Sequence, residues 1–105
     1  MEIKQFEDKH LAHYSYAIYS EGEIALIDPA RNPKPYYDFA KEKNAKITAV
    51  VETHPHADFV SSHLEISKET GATIFVSALL GAEYAHEAFD EGKSISIGNI
   101  KLKAV

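Results

Sequence analysis

Hydrophobic positions in the first third of the chain follow the period of β-strands. Residues 2–7 alternate weakly between polar and apolar side chains, and residues 13–19, HYSYAIY, are rich in aromatic and branched side chains. Residues 24–28, IALID, form a short apolar run after the turn-forming sequence SEGE. Runs of this kind, separated by turn residues, are typical of neighbouring strands. We therefore expect three strands in an antiparallel meander that ends at Asp28.

The middle of the chain alternates between helical and strand periodicity. Residues 33–43 carry apolar side chains at helical spacing, with Asn32 as the predicted N-cap and Pro33 in the first turn. Residues 46–53, KITAVVET, form a nearly continuous apolar run. Such a run is typical of a strand that is buried on both faces of a sheet.

A second helix is predicted over roughly residues 60–70. Ser62 and Glu65 fit the S-x-x-E capping box at its start. Gly71 is well placed to end the helix, because glycine adopts the left-handed conformation that follows many helices. Residues 72–76, ATIFV, then predict another buried strand.

The last part of the chain completes the predicted fold. Residues 78–89 have no clear period and favour a loop with one helical turn. Gly98-Asn99 separates SISI from IKLKAV, which predicts a hairpin with a two-residue turn. The order of elements predicts an α/β fold with a mixed sheet and flanking helices. Because only two helices are available to cover several apolar faces, we expect residues 1–105 to be an incomplete part of a larger domain.

Composition and charge narrow the classes of function. The 105 residues fit one domain at most, and a formal net charge of −5 argues against nucleic acid as the main partner, since phosphate binding needs a basic surface. The absence of cysteine excludes disulfides, thiolate metal sites and a catalytic cysteine. Residues 1–10 contain no apolar signal-peptide core, and no apolar run reaches the length of a membrane span. We therefore expect a cytoplasmic protein with no membrane partner.

The strongest chemical signal is the sequence VVETHPHADFVSSH at residues 50–63. In it, His54, His56 and Asp58 recur at a spacing of two, just after the predicted buried strand. Alternate side chains of an extended segment point in the same direction, and imidazole and carboxylate groups bind metals at about 2 Å. The carboxyl end of a buried strand is also where α/β proteins usually place ligand sites. These three residues are therefore the candidate metal ligands.

Several residues of this sequence also have a structural interpretation. Asp58 could be the N-cap of the following helix. His63 is expected to pack beside the loop as a helix residue rather than to bind a metal. Glu52 and Thr53 could orient the ligands or could be ordinary strand residues. The remaining histidines are expected to be surface or core residues: His10, His13 and His86.

The T-H-x-H-x-D pattern at residues 53–58 resembles the signature of the metallo-β-lactamase superfamily. IALIDP, at residues 24–29, is similar to the first half of that superfamily's fold. The longer stretches FEDKHLAHYSYAIYS, ALIDPARN and ETHPHADFVSSHLEI resemble the persulfide dioxygenase branch, which includes bacterial members fused to rhodanese domains. The resemblance implies that the chain is the first half of a metallo-β-lactamase αββα sandwich, and that residues 1–105 are the N-terminal part of that domain.

Phe59 distinguishes this sequence from the dinuclear hydrolases of the superfamily. In those hydrolases a histidine usually follows the aspartate and helps to hold a second metal. The benzyl ring of Phe59 has no donor atom, so a two-metal clamp would lose a ligand. Two histidines and one carboxylate with open positions suit the oxygen chemistry of Fe(II). The sequence therefore favours a single iron, with Zn(II) as the alternative.

The resemblance also implies roles for the candidate residues. His54 would bind the iron, while His56 and Asp58 would bind it or support its ligands and tune bound water, which makes Asp58 the candidate catalytic residue. The substrate would be glutathione persulfide or a related small-molecule persulfide, oxidised by O₂ to sulfite. The superfamily supplies further ligands from later segments that residues 1–105 lack, so we expect the isolated chain to be inactive.

Two other interpretations remain open at this point. A thioester hydrolase of the glyoxalase II type shares the fold and most of the motif, and zinc or mixed metals at two sites would support it. A non-catalytic half-domain would instead bind no metal and would pair with a second copy or with the missing C-terminal half. Exposed apolar sheet faces would demand such a partner.

Overall fold

The computed structural model describes residues 1–9, 13–53, 61–76, 87–90 and 92–103. Within these residues the strands and helices, in chain order, are β1 (Glu2–Asp8), β2 (His13–Ser20), β3 (Glu23–Ile27), α1 (Lys34–Lys43), β4 (Lys46–Val51), α2 (His63–Thr70), β5 (Thr73–Val76), β6 (Glu87–Ala88), β7 (Ser94–Ile97) and β8 (Ile100–Lys103). The predicted α/β fold with a mixed sheet and flanking helices is confirmed.

Strands β1 to β6 form one sheet in which the spatial order follows the chain order. The first three strands are an antiparallel meander, as predicted, whereas β4, β5 and β6 are each parallel to the strand before them. Parallel neighbours need a crossover connection, and α1 and α2 lie in the connections that precede and follow β4. Strands β7 and β8 form the predicted hairpin, which is a separate two-stranded sheet. The carboxyl ends of β3, β4 and β5 therefore meet at one edge of the sheet.

Other elements pack on both faces of the sheet. On one face, the core includes Tyr36 and Phe39 from α1 and Ile66 from α2. On the other face, Ile95 and Ile97 of the hairpin pack against the sheet. Neighbouring residues of β3 and β4 thus point into two different cores, which explains why both strands appear in the sequence as continuous apolar runs.

The turn of the β7–β8 hairpin packs against the turn between β2 and β3. Gly98 has φ +56°, and a Cβ atom at this position would lie 2.1 Å from the carbonyl oxygen of Ser20. The Ser20 hydroxyl donates to Asn99 Oδ1 at 2.6 Å and accepts the Asn99 N–H at 3.3 Å. Glycine is therefore required at position 98 both by the backbone conformation and by the close approach of Ser20.

The C-terminal end of α2 agrees with the sequence prediction, whereas the start of α1 differs slightly from it. Gly71 ends α2 with φ +79°, and its N–H donates to the Ser67 carbonyl at 2.9 Å, as predicted. The N-cap position of α1 is Pro33 rather than Asn32. Asn32 still supports the first turn, because its Oδ1 accepts the Lys34 N–H at 3.1 Å.

The region predicted as a loop with one helical turn is only partly described. Residues 77–86 lie outside the described residues, and Glu87–Ala88 form the short strand β6, which the sequence did not predict. Strand β6 pairs with Phe75 and Val76 of β5. In the described part of the chain, no helix combines the length and the hydropathy needed to cross a membrane.

Candidate metal centre

The predicted metal ligands His54, His56 and Asp58, together with Phe59, belong to residues 54–60, which lie outside the described residues. The structure instead describes the residues on either side of them. Strand β4 ends at the residue before Glu52, and α2 begins at His63. The candidate ligands thus follow the carboxyl end of a buried parallel strand, the position where open α/β sheets place ligand sites.

Asp28 holds the residues just before the candidate ligands. Its N–H donates to the Val51 carbonyl at 2.8 Å, and its Oδ1 accepts the Thr53 N–H at 2.7 Å. Its second carboxylate oxygen accepts the Thr53 hydroxyl. Asp28 has φ +50°, a left-handed conformation that aspartate tolerates better than most residues. The His13 Nε2 donates to the Asp28 carbonyl at 2.7 Å, which assigns His13 a structural contact beside the site.

The residues just after the candidate ligands are held by Pro29 and Ala30, which directly follow Asp28. The Ser62 N–H and hydroxyl both donate to the Ala30 carbonyl, at 3.1 and 2.5 Å. The Ser61 hydroxyl lies 3.0 Å from the Pro29 carbonyl oxygen, and Ser61 forms an isolated antiparallel bridge with Ala30. Residues 28–30, called the anchoring turn below, therefore hold both sides of the predicted ligand sequence.

Tyr36 fixes this anchoring turn to the helical layer. Its hydroxyl accepts the Ala30 N–H at 2.6 Å and lies 2.8 Å from the Ser15 hydroxyl. The side chain is 2% exposed. Burial raises the pKa of the Tyr36 hydroxyl above its ordinary value of 10.0, while the hydrogen bonds with Ser15 and Ala30 act in the opposite direction. The phenol is therefore a neutral hydrogen-bonding group at physiological pH.

A buried polar group joins the end of β4 directly to the start of α2. Glu52 Oε1 accepts the Ser61 hydroxyl at 2.9 Å and lies 2.8 Å from His63 Nδ1. His63 Nδ1 is also 2.8 Å from the Ser61 hydroxyl, and the His63 N–H donates to that oxygen at 3.3 Å. The Glu52 and His63 side chains are 2% and 1% exposed. The sequence left the role of Glu52 open, and the structure shows it as a buried acceptor rather than a solvent-facing strand residue.

The predicted capping box at the start of α2 is wrong. Ser62 does occupy the N-cap position of α2, but it makes no side-chain cap hydrogen bond, so the predicted capping box with Glu65 does not form. The Ser62 hydroxyl donates to the Ala30 carbonyl instead. Asp58, whose alternative interpretation was an N-cap, lies outside the described residues. His63 lies in the first turn, buried as a helix residue, which agrees with the packing role expected for it.

A metal site needs several ligand side chains that converge on one point. Residues 1–9, 13–53, 61–76, 87–90 and 92–103 contain no group of three His, Asp or Glu side chains that could hold an ion, so the candidate ligand set remains the one in residues 54–60. Within the same ranges, Glu52 Oε2 is buried and has no hydrogen-bond partner. A buried carboxylate oxygen without a hydrogen bond is costly, and a nearby cation would lower that cost. The chemistry of Glu52 Oε2 is therefore compatible with a cation, whereas His54, His56 and Asp58 lie outside the described residues.

The family model of the metallo-beta-lactamase superfamily matches residues 9–101. The chain belongs to this superfamily. Its metal-dependent relatives include a UPF0173 metal-dependent hydrolase from Pyrobaculum islandicum, which is 32% identical over 97% of this chain and 45% of its own length. A second UPF0173 metal-dependent hydrolase, from Staphylothermus marinus, is 35% identical over 78% of this chain and 40% of its own length.

Solved structures share the same fold. A metallo-beta-lactamase from Staphylococcus aureus is 38% identical, with a TM-score of 0.88, and the match covers 97% of this chain and 32% of that one. ETHE1 from Myxococcus xanthus is 25% identical, with a TM-score of 0.87, over 98% of this chain and 47% of that one. The predicted superfamily and fold are thereby confirmed. The chain spans less than half the length of each of these relatives.

Proposed function

We propose that residues 1–105 contribute the first part of a mononuclear iron persulfide dioxygenase, an enzyme that oxidises glutathione-type persulfides to sulfite. The observation that carries the proposal is Phe59, which stands directly after Asp58 where a histidine would be needed for a second metal. A single metal with two histidines and one carboxylate favours Fe(II) over a dinuclear zinc site. The likeness to ETHE1 from Myxococcus xanthus is compatible with this branch of the superfamily.

In this proposal each residue has a defined task. His54, His56 and Asp58 hold the metal, and Asp58 also accepts hydrogen bonds from bound water. If Fe(II) were held by these residues, it would supply the redox chemistry needed to oxidise a persulfide with O₂. Phe59 keeps the neighbouring position apolar and free of donor atoms. The oxidation consumes one O₂ and one water and releases the thiol and sulfite.

The test is metal content and product analysis. After anaerobic loading with Fe(II), we expect about one iron per chain in the full-length protein and none in His54→Ala. The same loading is done separately with Zn(II). His86→Ala, outside the proposed ligand set, is the matched control and should keep its iron. A full equivalent of metal in His54→Ala would overturn the ligand assignment. Sulfite release from glutathione persulfide with O₂ consumption would support the proposed reaction.

A hydrolase is the second candidate because the Pyrobaculum islandicum and Staphylothermus marinus relatives are metal-dependent hydrolases by name. A thioester hydrolase of the glyoxalase II type would bind zinc or mixed metals at two sites. Hydrolysis of a glutathione thioester without O₂ consumption, together with two metals per chain, would decide for this candidate and against the dioxygenase.

A third candidate, a half-domain that pairs with more protein, is supported by one exposed surface. Ile3, Tyr14 and Tyr16 are 58%, 49% and 36% exposed. Ile3 pairs with Ile18, which shares a face of β2 with both tyrosines. This is the face on which Ala25 packs against the hairpin. Sedimentation analysis tests the idea, and a chain that stays monomeric at all concentrations and binds no other part of its own protein would contradict it.

A further inference from the structure

The buried contact between Glu52, Ser61 and His63 joins the two sides of the predicted ligand sequence directly, in addition to the contacts that both sides make with the turn at residues 28–30. We propose that these three residues form a clasp, a positioning device that couples the end of β4 to the start of α2. The inference rests on the proposed metal site for its purpose, but the clasp itself is defined by contacts between described residues. Glu52 and Ser61 are nine residues apart, and their 2.9 Å hydrogen bond closes that stretch of chain.

Closing this stretch of chain should raise the affinity for a metal. A segment with fixed ends has fewer conformations to lose when its side chains converge on an ion. Preorganisation of this kind raises affinity by lowering the entropic cost of binding. Groups that support metal ligands typically change metal affinity about 10–100-fold when they are removed.

Burial explains why a polar clasp would position these elements rather than only hold them together. A buried hydrogen bond is directional and fixes the two groups at a defined distance, whereas apolar side chains of similar volume often give equal or greater stability. Ser61 is the central residue, because its hydroxyl contacts Glu52, His63 and the Pro29 carbonyl. Its removal should break the direct link between the two ends and leave only their contacts with residues 28–30.

The test compares one hydroxyl deletion with two changes at the acid. Ser61→Ala removes the central hydroxyl, and Glu52→Leu removes the acceptor. Glu52→Gln keeps the shape and one acceptor oxygen, so it should retain the clasp. Glu23→Gln is the matched control, because Glu23 accepts the Thr48 hydroxyl at 3.2 Å near the opposite ends of β3 and β4.

The decisive readout is amide hydrogen exchange of Thr53 in the metal-free chain. The Thr53 N–H is bonded to Asp28, not to the clasp, so a change there reports coupling between the two ends. We expect exchange about tenfold faster in Ser61→Ala and Glu52→Leu, the effect of losing about one hydrogen bond, and near-unchanged exchange in Glu52→Gln and Glu23→Gln. A merely structural role would instead lower global stability with no selective effect at Thr53.

Metal affinity gives the second readout in the full-length protein. We expect Ser61→Ala to weaken Fe(II) or Zn(II) binding about 10–100-fold in chelator competition. Unchanged Thr53 exchange in folded Ser61→Ala would overturn the clasp, as would equal acceleration in Glu23→Gln. If the unaltered protein takes up no metal, the proposed function is overturned, and Thr53 exchange still decides whether the clasp exists.

Discussion

The hydroxyl of Tyr36 offers a clean test of how the anchoring turn is held. Tyr36→Phe removes one oxygen from a side chain that is 2% exposed, without changing its apolar volume. Ala30 N–H, 2.6 Å away, and the Ser15 hydroxyl, 2.8 Å away, both lose this partner. A buried polar group left unpaired costs about 1–3 kcal/mol. For two groups we expect the free energy of unfolding to fall by about 2–4 kcal/mol.

The adjacent tyrosine provides the matched control. Tyr37 donates to Glu69 Oε1 in an exposed hydrogen bond, so Tyr37→Phe should cost less than about 1 kcal/mol. The assay is urea unfolding at pH 7, followed by circular dichroism and analysed for both the midpoint and the slope. In a Ser15→Ala background, Tyr36→Phe should cost less than it does alone, because one of its partners is already gone. Equal losses for Tyr36→Phe and Tyr37→Phe would refute the buried hydrogen-bond role.

The same hydroxyl gives an alkaline pH dependence. Burial raises the pKa of Tyr36 above 10.0, and negative charge on Asp8 and Glu52 acts in the same direction. The folded state therefore keeps a proton that the unfolded chain releases. This stabilisation is complete below pH 10 and is lost as the pH rises through the folded-state pKa. Above pH 10, the free energy of unfolding should fall more steeply in the unaltered protein than in Tyr36→Phe.

Three further predictions concern the hairpin, the anchoring aspartate and the second-metal position. Gly98→Ala should lower the free energy of unfolding by about 1–3 kcal/mol more than Gly71→Ala, since a Cβ at Gly98 meets Ser20 whereas one at Gly71 meets nothing within 4 Å; equal losses in urea unfolding would argue against the docking. Asp28→Ala deprives Thr53 of its carboxylate partner and should cost about 2–5 kcal/mol in the same assay, and a loss below about 1 kcal/mol would contradict the anchor. Phe59→His should raise metal content toward two ions per chain by elemental analysis, and a value that stays at one would show that Phe59 does not limit occupancy.

Most of the sheet and both helices could be predicted because local patterns determine them. The aromatic and branched side chains at residues 13–19 and the continuous apolar run at residues 46–53 reflect burial in a sheet, and burial is what the hydrophobic pattern records. Gly71 ends its helix as predicted, because the left-handed conformation is a local requirement. The two-residue turn at Gly98-Asn99 was predictable for the same reason.

Contacts between distant parts of the chain were less predictable. Ser62 has the right neighbours for a capping box, but its hydroxyl is bonded to the Ala30 carbonyl, 32 residues away. The local sequence pattern around Ser62 gives no sign of the Ala30 carbonyl as a competing acceptor. The buried position of Glu52 was also not predictable, because its partners Ser61 and His63 lie nine and eleven residues further along the chain. The assignment of the ligands themselves remains a prediction from the sequence.

The docking of the hairpin has a consequence for the kinetics of folding. The hydrogen bond between Ser20 and Asn99 joins residues 79 positions apart, whereas the meander of β1 to β3 is built from near neighbours in the chain. Closing so long a loop is entropically expensive until the sheet exists, so this contact should form after the main folding barrier. Interactions that form late mainly slow unfolding. The lifetime of the folded chain should therefore depend on the turn at Gly98 more than its folding rate does.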